Sequence, residues 1–129
     1  MKAALALILL AGCALADSAP EAPPMPPEIW RVVAIGGVPF AADNSFGISP
    51  ADGVYGGQGP CNRYFGSVTT DPFPAVILST PGATRMACPA LAEEAALFAA
   101  LGRVERMGVG TDAMTLITAD GQEIALTRR

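Results

Sequence analysis

The sequence predicts an α+β domain, mainly an antiparallel β-sheet that closes towards a barrel, with one α-helix. Glycines recur roughly every ten residues, and the runs between them are short and either alternate or are rich in β-branched residues, as in strands joined by hairpins. About eight strands follow, and so many in one small chain favour a sheet that closes on itself. The predicted strands cover residues 29–35, 45–48, 54–56, 63–69, 75–78, 103–107, 114–118 and 123–127.

One helix is predicted over about residues 89–101. Pro89 suits the first helical position, and Gly102 suits the end of a helix. At about 100° per residue, one apolar face contains Leu91, Ala95, Leu97, Phe98 and Leu101, while Glu93 and Ala100 lie opposite. We expect the apolar face to pack against the sheet.

Glu94 falls inside this apolar face. A carboxylate in such a position is costly unless it is paired or hydrogen-bonded. The expected partners are arginines, Arg85 first and Arg63 second, or backbone N–H groups near the cysteines of the domain. Glu94 is therefore expected to be a structural carboxylate.

Charge and composition exclude several classes of function. The chain has eight basic and twelve acidic residues, for a formal charge of −4, and its arginines do not cluster before the last two positions. Nucleic acid is therefore not an expected partner, because the sequence has no cluster of basic residues that could bind its phosphates. The chain contains no histidine. Its absence excludes the commonest general base, the usual Ser and Cys catalytic triads and most mixed Cys/His zinc sites. We expect no enzyme, metal or cofactor.

The first residues are typical of an export signal. Lys2 precedes an unbroken apolar run over residues 3–11 that is too short to span a bilayer. The run leads into Leu-Ala-Gly-Cys, ending at Cys13, which resembles the lipobox of bacterial lipoproteins. Residues 1–12 are thus predicted to be a lipoprotein signal peptide, and Cys13 to carry the lipid.

Residues 13–27 are predicted to hold the lipid attachment and an extended spacer with five prolines. The protein would then be anchored to the membrane through its N-terminal lipid, and we expect it at the outer membrane, facing the periplasm. The alternative is cleavage after Ala16, within a small-x-small pattern, which would release a soluble periplasmic protein.

Cys61 and Cys88 are the two cysteines that remain. An even pair in a chain sent to an oxidising compartment is predicted to form a disulfide. A zinc site would need two further ligands, and a reactive thiol would need an activating base. A structural bridge is therefore favoured over a reactive role.

Several motifs resemble the META domain of HslJ-like bacterial lipoproteins. They are Trp30, the segment Gly59-Pro60-Cys61-Asn62-Arg63-Tyr64-Phe65-Gly66, the segment Thr84-Arg85-Met86-Ala87-Cys88-Pro89, Glu94 and Leu101. The resemblance covers residues 28–129 and implies a compact, mainly antiparallel α+β domain, often periplasmic and lipid-anchored, without an established catalytic activity. Pro60 departs from it, because many members have glycine there.

The motif residues have two interpretations. Asn62, Arg63, Tyr64, Thr84 and Arg85 could form a binding surface beside the bridge. In the favoured structural interpretation, Asn62 takes a strained turn conformation, an arginine neutralises Glu94, and Tyr64 packs in the core.

Three classes of function stay open. The resemblance implies an envelope accessory protein that supports envelope integrity or stress tolerance. The alternatives are a module that binds a small hydrophobic ligand and an inhibitor or chaperone-like module that binds an envelope protein.

Overall fold

The computed structural model describes residues 26–129, and the predicted signal peptide, Cys13 and most of the spacer lie outside these residues. It confirms the α+β class, with antiparallel strands and one helix in the part described. The strands are β1 Trp30–Ile35, β2 Val38–Pro39, β3 Gly47–Ser49, β4 Val54–Gln58, β5 Arg63–Thr70, β6 Val76–Leu78, β7 Gly82–Ala83, β8 Val104–Val109, β9 Ala113–Thr118 and β10 Glu123–Arg128. The helix α1 covers Leu91–Leu101.

The strands form two five-stranded sheets. One has the order β2-β1-β10-β9-β8, and the other has the order β3-β4-β5-β6 with β7 also paired to β5. The sheets meet at isolated bridges, Trp30 with Phe46 and Ala75 with Arg106. The expected closure towards a barrel is therefore wrong: the edges share single bridges and not continuous ladders, because β3 and β6 have only three residues each.

The two sheets enclose one hydrophobic core. A row of aromatic rings crosses it from Phe46 through Tyr55 and Tyr64 to Phe98 on the helix, with centroids 6.1, 6.4 and 5.2 Å apart. Both tyrosine hydroxyls donate to backbone carbonyls, that of Tyr64 to Ser45 at 2.8 Å. Burial raises the pKa of both phenols. The expected core position of Tyr64 is confirmed.

The buried face of the helix agrees with the expected one only in part, because Leu97, Leu101 and Glu94 are buried as predicted and other positions are not. Its buried residues are Glu94, Leu97, Ala100 and Leu101, whereas Leu91 and Ala95 are exposed. Ala100 thus lies on the buried side, not opposite it. The helix is rotated about its axis so that Glu94 contacts the β4–β5 hairpin of the second sheet. Hydrophobic periodicity alone does not predict that contact. Gly102 follows the last helical residue, as predicted, and its N–H donates to the carbonyl of Phe98.

Candidate binding groove beside the disulfide

The site is built on the tip of the β4–β5 hairpin. The strands are last paired at Gln58 and Arg63, and the N–H of Gly59 closes the tip by donating to the carbonyl of Asn62 at 2.8 Å. This tight connection leaves the N–H groups of Cys61 and Asn62 free to bind a neighbouring element. They point at the helix, where both donate to Glu94 Oε2 at 2.7 Å.

Glu94 is 2% exposed, and its carboxylate accepts hydrogen bonds from the hairpin tip. Its Oε2 accepts the two backbone N–H groups, and its Oε1 accepts Asn62 Nδ2 at 2.6 Å. The expectation of an arginine partner is wrong, and the backbone alternative is confirmed. Arg63 instead pairs with Glu28 at 2.7 Å on the surface, and Arg85 is exposed. Three N–H donors stabilise the charge without requiring burial of a second ion.

Asn62 is buried, and its side chain is fully hydrogen-bonded. Nδ2 donates to Glu94 and to the carbonyl of Met86, at 2.6 and 2.9 Å. Oδ1 accepts the Met86 N–H and the Thr84 hydroxyl, at 2.6 and 3.0 Å. An amide side chain offers two donors and two acceptor positions, and all four are used here. The expected strained backbone of Asn62 is wrong, because within residues 26–129 only glycines have positive φ.

Gly59 allows the hairpin tip to approach this close. A Cβ at this position would lie 2.7 Å from Glu94 Oε2 and 3.3 Å from the ring of Phe98. Real Cβ atoms do not approach oxygen so closely, so any larger residue would push the tip away from the helix. Gly59 therefore belongs to the carboxylate-binding arrangement, a role that was not predicted for it from the sequence.

The predicted disulfide between Cys61 and Cys88 is present, with Cα atoms 5.6 Å apart. It joins the hairpin tip to the segment that leads into α1, whose first residue, Leu91, donates its N–H to the carbonyl of Cys88. The bridge and the Asn62 contacts thus hold the two ends of residues 84–88 against the same hairpin.

An open groove of about 440 Å³ lies between residues 81–87 and the helix. Its lining comprises Asn62, Pro81, Gly82, Ala83, Thr84, Arg85, Met86, Ala87, Leu91, Glu94, Ala95 and Phe98. Met86 and Leu91 are 67% and 46% exposed, and they line the same groove. Met86 was not among the predicted site residues, and Leu91 was predicted to pack against the sheet.

The structure brings some of the predicted site residues together and separates others. Asn62, Thr84 and Glu94 form one hydrogen-bonded network, and Arg85 lies at the groove with them. Tyr64 lies behind them in the core, and Arg63 points away to Glu28. The predicted surface therefore exists only in part, and its exposed members at the groove are Thr84 and Arg85.

Comparison with known proteins identifies the family. The model of the META domain matches residues 24–129. The chain belongs to the META domain family. The NMR structure of a protein from Burkholderia xenovorans is similar to this META domain, with a TM-score of 0.63 and 26% sequence identity over 88% of this chain and 96% of that one. The comparison with curated proteins gives no match.

The network in this META domain leaves its polar groups little capacity to bind a ligand. Each oxygen of the Glu94 carboxylate already accepts at least one short hydrogen bond, and the Asn62 amide has no free position.

Within residues 26–129, no helix is long and apolar enough to cross a membrane, and no group of three potential metal ligands is close enough to hold an ion. What the site offers to a ligand is the groove above the network.

Proposed function

We propose that this protein is an exported, lipid-anchored accessory protein of the bacterial cell envelope, and that its META domain binds an apolar ligand or segment in the groove between residues 81–87 and α1. The observation that carries the proposal is the groove itself, where Met86 and Leu91 are exposed beside the hydrogen-bonded network of Asn62 and Glu94. Ligand sites are typically concave and mostly apolar, with a few polar groups in fixed positions.

The groove walls are held before any ligand arrives. Asn62 hydrogen-bonds Thr84 and Met86 on one wall and Glu94 on the other, and the disulfide anchors the far end of the first wall. A wall already ordered in the free protein loses little conformational entropy on binding. A groove with hydrogen-bonded walls and an exposed apolar surface is therefore well suited to recognition.

Binding fits the chemistry of this site better than catalysis. The sequence contains no histidine, and the carboxylate nearest the groove is committed to three N–H donors. A general base must be free to take a proton from a substrate. The proposed role in envelope integrity or stress tolerance would thus be carried by a bound partner or ligand.

Export and anchoring are proposed from the sequence, and the disulfide supports export. The lipobox-like segment ends at Cys13, and disulfides persist mainly in oxidising compartments. We place the protein at the outer membrane, facing the periplasm. The alternative of a released periplasmic form after cleavage at Ala16 makes the same use of the groove.

A fluorescent apolar probe tests the groove. Anilinonaphthalene sulfonate combines fused and single aromatic rings with one negative charge, which suits the apolar walls and Arg85. We expect saturable fluorescence enhancement with the wild type and a loss of about tenfold or more in affinity with Met86→Ser. Ile77→Ser is the matched control, because Ile77 is 48% exposed on β6, outside the groove lining. Equal effects of the two variants, or no saturable binding, would contradict the proposal.

A further inference from the structure

One wall of the groove is an open sheet edge. β7 pairs with β5 alone, with Gly82 opposite Phe65, and the ladder continues as the Thr84 N–H donates to the Arg63 carbonyl at 3.1 Å. In an antiparallel pair, alternate residues direct their backbone groups to the partner strand. Gly82 and Thr84 therefore face β5, and the backbone groups of Ala83 and Arg85 face the other way.

The outward side of this edge is unpaired where it borders the groove. Within residues 26–129, the Arg85 N–H donates no hydrogen bond, whereas those of Thr84 and Met86 on either side do. An unpaired strand edge is a template for another strand, and many proteins bind extended peptides in this way. The helix forms the opposite wall of the groove, where Leu91, Ala95 and Phe98 line the same 440 Å³ space.

The charged groups at the groove define the chemistry of the occupant. The described residues place no acidic partner within ion-pair distance of the Arg85 guanidinium. The Glu94 carboxylate also lines the groove, but it is buried and occupied by three N–H donors. An incoming carboxylate at Arg85 would gain a charge-assisted hydrogen bond, and apolar side chains would cover Met86 and Leu91.

We propose that the groove takes an extended segment of a partner polypeptide, apolar with an acidic residue, which adds as a strand to the edge at Ala83 and Arg85. This inference rests on the proposed function, because it names the occupant of the same groove. The backbone ladder supplies much of the affinity, and Arg85 with the apolar wall selects the sequence.

Labelled synthetic peptides test strand addition. The probe is a short peptide of alternating valine and threonine with one central aspartate, and its controls are the same peptide with a central lysine and with N-methyl groups on its edge-facing amides. We expect the aspartate peptide to bind by fluorescence anisotropy, and each control to bind at least about tenfold more weakly. Equal binding of the N-methylated peptide would overturn the ladder, and equal binding of the lysine peptide would overturn the role of Arg85.

Amide hydrogen exchange gives a residue-level readout. In the complex, the N–H groups of Ala83 and Arg85 should gain protection, while that of Thr84, already bonded to β5, should change little. Protection spread evenly over all three residues, or confined to the helix, would overturn strand addition.

Two variants test the same geometry from the side of the protein. Ala83→Pro removes an outward N–H without removing a bond to β5, and it should lower affinity about fivefold or more. Arg85→Glu should reverse the preference so that the lysine peptide binds better, and Arg106→Glu on β8 is the matched charge control. If Ala83→Pro fails to fold, the N-methylated peptide performs the same test on the wild type.

The outcomes separate this inference from the proposed function. If the fluorescent probe binds in a Met86-dependent way and no peptide does, the groove is a small-ligand site and strand addition is wrong. If neither the probe nor any peptide binds, both proposals are wrong.

Discussion

Replacing Glu94 should destabilise the domain strongly. In Glu94→Ala, the N–H groups of Cys61 and Asn62 and the Asn62 amide all lose their acceptor in a buried region. Each orphaned buried donor costs about 1–3 kcal/mol, and relief of the buried charge and partial entry of water offset a part of the sum. We therefore expect a loss of about 3–5 kcal/mol, which is much of the stability of a domain this size.

The assay is thermal and urea unfolding of the wild type and variants side by side. A loss of this size should lower the melting temperature by on the order of 20 °C. Glu93→Ala is the matched control, because it removes a carboxylate from the adjacent, exposed position of the same helix and should cost less than about 0.5 kcal/mol.

Glu94→Gln should fall between the two. The glutamine keeps one oxygen for the backbone N–H groups, but its own amide then faces the Nδ2 donor of Asn62, which cannot turn without losing Thr84 and Met86. Melting temperatures for Glu94→Ala and Glu93→Ala within a few degrees of each other would refute the reasoning, because the three hydrogen bonds would then contribute no net stability.

Three further outcomes follow from the same contacts. Gly59→Ala should cost about 1–3 kcal/mol in urea unfolding because its Cβ would meet a carboxylate oxygen at 2.7 Å, whereas Gly108→Ala, with open space around it, should not destabilise; equal costs would contradict this. Opening the Cys61–Cys88 loop of 27 residues with Cys61→Ser and Cys88→Ser should lower the free energy of unfolding by about 3.5 kcal/mol, and free thiols in native wild-type protein would refute the bridge. Cys13→Ser should abolish acyl labelling and membrane association, and a wild-type N-terminus four residues later, found by Edman sequencing, would disprove lipidation.

The sequence predicted the features that have local or pairwise signals. Alternation of side chains along the chain predicted the long strands, and Gly102 predicted the end of the helix. The two cysteines of the domain predicted the single disulfide. It did not predict the two-residue strands β2 and β7, because so few residues show no periodicity. The division into two sheets was also missed, since it depends on which edges meet at single bridges.

The site was predicted in its residues more than in its contacts. Periodicity placed Glu94 on a buried face, but arginines were expected as partners because charged side chains are visible in a sequence and backbone N–H groups are not. The groove itself was missed, because the exposure of Met86 and Leu91 depends on how the helix is rotated about its axis. That rotation is fixed by a contact 32 residues away along the chain.

The same contact makes the helix dependent on the rest of the domain. The N-cap residue Ala90, which precedes the helix, offers no side-chain hydrogen bond to the first turn, and the last turn has no basic residue to complement the helix dipole. Eleven residues without these aids are too few to be stably helical alone in water. An isolated peptide of this segment should therefore be mostly unstructured. The wall that carries Leu91 depends on the packing of α1 against the core and on the Glu94 contacts, so we expect the groove to form together with the domain.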